Sequence, residues 1–352
     1  MKIKEIHVSR HDLQLKKPYT IAFKTVSTVE NMVVRLELEN GMVGFGSGNP
    51  SEKVTGESLN SCEQILQPGN LQFLIGRDIR HFRYLVDEIT ALFPKNPAAR
   101  AALDIALHDA FCQFLGVSLT EFLGQKIESL PTSVTIGIMG VEETVQEALE
   151  YQKLGFKILK IKTGKTLEED IERVEKLREV IGNSMKIRVD ANQAYTEAET
   201  NAWFNYTQKL AIELVEQPVP QSVLFDTHFS EKYRKYIAAD ESLLTPRHAF
   251  ELAQKEVCGI FNIKLMKCGG VRQALLIANI ARASSKELMW GCNDESIISI
   301  SAALHTALSQ PHTKYLDLDG SFDLAKDVVE GGFILKDGEL SVGKGVGLGV
   351  RG

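Results

Sequence analysis

Between residues 131 and 317, short apolar runs alternate with longer segments of helical periodicity. Eight of the runs read as strands, over 133–138, 158–162, 186–189, 212–215, 237–239, 260–264, 288–291 and 314–316. An amphipathic segment separates each consecutive pair, so the strands should run parallel and be joined by right-handed crossovers. Eight strands in so short a stretch fit a closed (β/α)8 barrel better than an open doubly wound sheet. Upstream the rhythm differs. Segments 2–10, 31–39 and 42–48 alternate polar and apolar as antiparallel strands do, and Glu39-Asn40-Gly41 supplies a turn between the last two. Helical spacing follows over 52–67, 79–92 and 97–115. In the third of these Ala99, Leu103, Ala106, Leu107, Ala110 and Phe114 share a face, and Gly116 suits a helix C-cap. The expected fold class is α/β, a modified (β/α)8 TIM-type barrel over 126–320 behind an α+β domain over 1–125. The Gly-rich segment 321–352 is expected to return to that first domain.

Composition narrows the function classes. The 352 residues are 44% apolar and 24% charged, a globular mixture, and the net charge is 40 − 46 = −6. With lysine and arginine spread evenly, neither nucleic acid nor an anionic membrane is an expected partner. No stretch has the apolar length of a membrane span, and MKIKEIHVSR reads as a strand rather than a signal segment. Five widely spaced cysteines without a CxxC pair are expected to be reduced thiols in a cytoplasm. The GKGVGLG run at 343–349 resembles a dinucleotide fingerprint only superficially. Such a fingerprint joins a strand to a helix, and no helical pattern follows this one.

In a (β/α)8 barrel, chemistry sits at the C-terminal ends of the strands. Read in order, those ends carry Lys160 and Lys162, Asp190 and Asn192, Glu216, Asp240 and Glu241, Lys264, and finally Asp317 with Asp319. Asp190, Glu216 and Asp240 are each about one βα unit apart, so three hard oxygen ligands should converge. Three carboxylates suit Mg²⁺ better than zinc, and the eight histidines show no HxH or HExxH grouping. Taken singly each carboxylate could cap a helix; three in succession, bracketed by lysines, favour a metal. Lys160 and Lys162 alternate with Ile161 and point to one side of their strand. Their mutual repulsion and a nearby metal should lower a lysine pKa, giving a general base. Lys264 lies four strands on, across the mouth. Mg²⁺ beside a substrate carboxylate would stabilise the charge that builds when the adjacent carbon loses its proton, and a lysine base is a known companion of such a metal-stabilised enediolate. One base on each face then implies racemisation or epimerisation.

The motifs ILKIKTG, RVDANQAY, ELVEQPVP, AADESL and NIKLMKCGG resemble the successive strand-end motifs of the muconate-lactonizing branch of the enolase superfamily, over nearly the whole chain. The resemblance implies that the first domain is a capping domain whose loops set specificity. It implies Asp190, Glu216 and Asp240 as Mg²⁺ ligands and Lys162 and Lys264 as acid/base residues, with Lys160 at the substrate carboxylate. Within the branch, the chain is most similar to dipeptide epimerases of the L-Ala-D/L-Glu type. Those enzymes hold the dipeptide ammonium with an Asp-x-Asp, which Asp317-Leu318-Asp319 matches, and contact substrate with a threonine where Thr135 stands. An acidic turn before Gly320 is the other reading of Asp317 and Asp319. Three positions depart from that type. Lys24 replaces a capping-loop arginine, keeping the charge without the bidentate fork. Ser47 stands where a glutamate is frequent, and Asn293-Asp294 where apolar residues are common. The added anion Asp294 would favour a cationic or polar dipeptide. The expected partner is therefore a small molecule, with a homo-oligomer open. The other activities compatible with these residues are a lyase or cycloisomerase, such as o-succinylbenzoate synthase or muconate cycloisomerase, an N-acyl amino acid racemase, and a non-catalytic metal-binding barrel.

Overall fold

The computed structural model describes residues 1–21 and 24–352, and the side chains of residues 17–26 lie outside that description. Strands β1 (Ile3–Ile21), β2 (Lys24–Leu38) and β3 (Val43–Gly48) form an antiparallel sheet in that order. The first two are longer than the sequence pattern predicts. Their outer halves pair from Leu13↔Val29 to Ile21↔Lys24, and Leu13, Leu15 and Val29 bury themselves against Leu324 of the C-terminal segment.

The helices α1 (Leu59–Ile65), α2 (Phe82–Leu92) and α3 (Pro97–Leu115) follow. The helix expected over 52–67 is confined to α1 and a following four-residue turn (Pro68–Leu71). Residues 51–58 are used otherwise, because Gly56 has φ +71° and the buried Glu57 carboxylate accepts the N–H groups of Ala98 (2.7 Å) and Ala99 (3.4 Å) at the start of α3. Helix α3 is buried on more than the one predicted face. On one side Gly44, Gly46 and Gly48 of β3 let the sheet backbone approach it so closely that a Cβ on Gly46 would lie 1.9 Å from the Ala102 carbonyl oxygen. On another, its buried Asp104 accepts the N–H groups of Val271 (2.7 Å) and Arg272 (3.2 Å), the first residues of a barrel helix (Val271–Ala283). A charge inside α3 is tolerated because it caps a helix of the other domain.

The eight predicted barrel strands are β4 (Ser133–Ile136), β5 (Ile158–Lys162), β6 (Lys186–Asp190), β7 (Ile212–Glu216), β8 (Ile237–Ala239), β9 (Ile260–Ile263), β10 (Glu287–Gly291) and β11 (Thr313–Asp317). They pair in sequence order as one parallel sheet, and a Thr132↔Leu316 bridge brings the first and last together. The C-terminal segment contributes a hairpin (Phe333–Lys336 with Glu339–Val342) that extends onto Ser129–Pro131. Beyond it, Leu348 N–H donates to Asp109 of α3 at 2.8 Å, and Leu119 N–H to the Gly347 carbonyl at 2.8 Å. Among the described residues, no helix is long and apolar enough to cross a membrane, and all five cysteines are free thiols.

Candidate active site

Parallel strands in register bring their last residues to one rim. Lys162 aligns with Asp190, and Asp190 with Glu216. Lys162 Nζ donates to Asp190 Oδ2 (2.7 Å) and Asn192 Oδ1 (3.0 Å). On β9's end, across the barrel, Lys264 Nζ donates to Asp240 Oδ2 at 2.9 Å. Each outer lysine thus touches one outer carboxylate of the three. Glu216, between them, accepts from Asn262 Nδ2 at 2.8 Å on one oxygen. Its other oxygen is buried without a hydrogen bond, although Lys160 Nζ lies 2.8 Å away.

Lys160 is deeply embedded among the carboxylates of the mouth. Its ammonium forms ion pairs with Asp317 (2.7 Å), Glu216 (2.8 Å) and Asp190 (3.1 Å). The ammonium thereby lies among the carboxylates. Accordingly, no group of three acidic, histidine or cysteine side chains is arranged as a ready metal cage among the described residues. The donor set nevertheless fits Mg²⁺. It consists of hard carboxylate oxygens at the ends of adjacent strands, and one oxygen of the buried Glu216 accepts no hydrogen bond.

The protein's own charged groups raise Lys160 and Lys264 rather than lower them; the lowering expected from the sequence also counted a nearby metal ion. Burial does press Lys160 and Lys264 down, but it is outweighed. Asp317, Glu216 and Asp190 raise Lys160, and Asp240 with Glu216 raises Lys264. Lysine–lysine repulsion is the weaker effect because carboxylates intervene. Among those carboxylates, burial pushes Glu216 up to about 8, helped by the charge of Asp190. Asp190 is held below the usual range despite its burial, by Lys162 and Lys160. Asp240 is likewise held down despite burial, by Lys264 and Lys267.

Several contributors escape a reading of strand ends. Lys267 is fully buried and donates to the Asp240 carboxylate and to the carbonyl of Asn262. Gln217 accepts from Asp240 N–H at 3.0 Å, and with Asn192 it adopts positive φ (34° and 42°) just past a carboxylate-bearing strand end. Below the rim, Arg188 Nη1 donates to Ser133 Oγ (3.2 Å), which in turn donates to Asp317 Oδ1 (2.6 Å). Alternation could have placed Arg188 inside, since it stands two residues before Asp190.

Asp317 and Asp319 come together as predicted by their spacing, but they differ. Asp317 is held by Lys160 and Ser133, which keep its pKa low against the effect of burial. Asp319 accepts the Thr135 N–H at 2.8 Å, and burial with the neighbouring Asp317 charge raises it to about 7. Thr135 is half-buried and lies opposite Lys160 in the strand register. The half-buried Asp294 raises both Asp319 and Glu295. Its neighbour Asn293 donates to Asn49 of the capping domain at 3.1 Å, so this turn sits where the two domains meet. Ser47 is buried, and its hydroxyl makes no hydrogen bond. The Lys24 side chain lies outside the described residues.

Comparison with known proteins gives a consistent picture. Residues 3–124 match the family model described as mandelate racemase / muconate lactonizing enzyme, N-terminal domain, and residues 143–351 match the one described as enolase C-terminal domain-like. The L-Lys-D/L-Arg epimerase of Methylococcus capsulatus is 49% identical over 99% of both chains. The L-Ala-D/L-Glu epimerase of Bacillus subtilis is 35% identical over 100% of this chain and 97% of its own. A crystal structure of a Methylococcus capsulatus dipeptide epimerase with Mg and the dipeptide L-Arg-D-Lys superposes with a TM-score of 0.98, at 49% identity and full coverage of both chains.

Proposed function

Because the chain belongs to the mandelate racemase/muconate lactonizing enzyme family and is an isomerase of the racemase and epimerase kind, we propose that it epimerises dipeptides at the α-carbon of the C-terminal residue and that its preferred substrates carry basic side chains. One observation carries the reaction: Lys162 and Lys264 stand on opposite sides of a single mouth, each bonded to a different carboxylate.

Asp190, Glu216 and Asp240 would hold Mg²⁺, which supplies positive charge beside the substrate carboxylate and lowers the cost of the carbanion. The chain's own residues do the rest. In either direction one lysine enters neutral and takes the α-proton, while the other enters protonated and returns a proton to the opposite face. Asp240, held by Lys264 and Lys267, fixes the reach of Lys264; Asp190 and Asn192 do the same for Lys162. Lys160 contributes charge at the substrate carboxylate.

Substrate choice rests on the anions around the mouth. Asp317 and Asp319 would receive the dipeptide ammonium, beside Thr135. Asp294, at a position where apolar residues are common, adds negative charge suited to a lysine or arginine side chain. The 49% identity to a Lys-Arg epimerase, against 35% to an Ala-Glu epimerase, favours the basic class over the Ala-Glu class expected from sequence. The test is incubation with Mg²⁺ in D₂O of L-Lys/L-Arg dipeptides, L-Ala-L-Glu and an N-succinyl amino acid. Faster α-deuteration of the basic dipeptides supports the proposal, and preference for either alternative overturns the substrate class.

A further inference from the structure

The Lys160 ammonium has three hydrogens and three carboxylate neighbours, and those neighbours belong to two different tasks. Asp190 (3.1 Å) and Glu216 (2.8 Å) are on the metal side; Asp317 (2.7 Å) is on the side assigned to the substrate amine. Lys160 is fixed in that position because it is only 3% exposed and lies on a strand. Asp317 is fixed too, since its second oxygen accepts from Ser133, which Arg188 braces from below. Neither partner can move away from the other without breaking buried polar contacts. Asp319, two residues on, has no ion pair with Lys160 and is held instead by a backbone N–H.

We propose that Lys160 couples the two sites: Asp317 draws on the lysine's charge, and this sets how firmly Asp190 and Glu216 bind Mg²⁺. When Asp317 is neutralised, Lys160 is shared by Asp190 and Glu216 alone, and a metal cation must compete with it there. A substrate ammonium settling on Asp317 acts in the same direction. Linkage makes the effect reciprocal. Lys160 is a positioning residue in this role, distinct from its assistance at the substrate carboxylate. The inference rests on the proposed assignment of Asp190 and Glu216 as metal ligands.

The experiment is calorimetric titration of the full chain with Mg²⁺ alone, at pH 8.5 so that Asp319 is ionised. Asp317→Asn should weaken Mg²⁺ binding about tenfold, within the usual range for coupled sites. Asp319→Asn removes an equal charge nearby and should weaken it about twofold or less, as a charge acting only through distance. In a Lys160→Met background the Asp317→Asn effect should shrink to that of Asp319→Asn. Equal weakening by the two asparagine variants overturns the coupling, as does a full Asp317→Asn effect without Lys160. If Lys160→Met fails to fold, the comparison of the two asparagine variants decides alone. Because no dipeptide enters the titration, failure of the epimerase reading would leave this result standing.

Discussion

A lysine at the end of an apolar strand is conspicuous, which is why Lys162 and Lys264 were legible from sequence. The groups that brace Asp317 and Glu216 were not. Ser133, Arg188 and Asn262 occupy inward positions that an apolar strand body would fill, and only the closed barrel shows them paired. Replacing Lys162 or Lys264 by alanine should lower epimerisation about 10²–10⁴-fold in both directions, with an unchanged circular dichroism spectrum; a variant that retains two-way activity would refute the two-base scheme. Asp294→Asn should cost basic dipeptides about 1 kcal/mol, or roughly fivefold in kcat/KM, and leave neutral dipeptides unaffected. Steady-state kinetics on both substrate classes checks this. Asp319 gives a pH signature. Burial and Asp317 raise its pKa to about 7, so it is protonated below that value and gains its charge as pH rises. KM for a dipeptide should therefore fall between pH 6 and 8, and Asp319→Asn should flatten that dependence.

Among the elements, barrel strands were read to within a few residues because each is an apolar run bounded by a polar, helix-spaced segment. The capping sheet was harder. The outer half of β1 contains Lys16, Lys17 and Pro18, which obscure the alternation of Leu13 and Leu15, and the residue that covers those leucines, Leu324, is about 310 positions away. Residues 52–58 have helical composition, but Glu57 is taken by the start of α3. The tight contact between β3 and α3 was invisible for a similar reason, since the GFGSG spacing acquires meaning only beside Ala98, Ala102 and Ala106. Gly46→Ala should destabilise the protein by about 3 kcal/mol, the upper end for overpacking. Chemical denaturation would measure it, and a wild-type midpoint would show that the sheet can retreat from the helix.

For the whole molecule, the two domains are tied together at several points. Asp104 of α3 caps a barrel helix, Asn49 meets Asn293 at the mouth, and Asp109 holds the C-terminal segment. The turn at 293–294, which we propose to bear on specificity, thus rests against the capping domain, while Lys162 and Lys264, the proposed proton-transfer residues, stand at the ends of barrel strands. This division lets one fold keep its reaction while the substrate changes, in agreement with relatives that share the architecture and carry different substrate names. The central claim is two-sided proton transfer at a dipeptide's C-terminal α-carbon, and deuterium incorporation tests it most directly. With Mg²⁺ in D₂O, L-Lys-L-Arg and its C-terminal D epimer should each acquire one deuterium at that carbon while converting to the other. Absence of exchange from both epimers, across basic, acidic and neutral dipeptides, would contradict it.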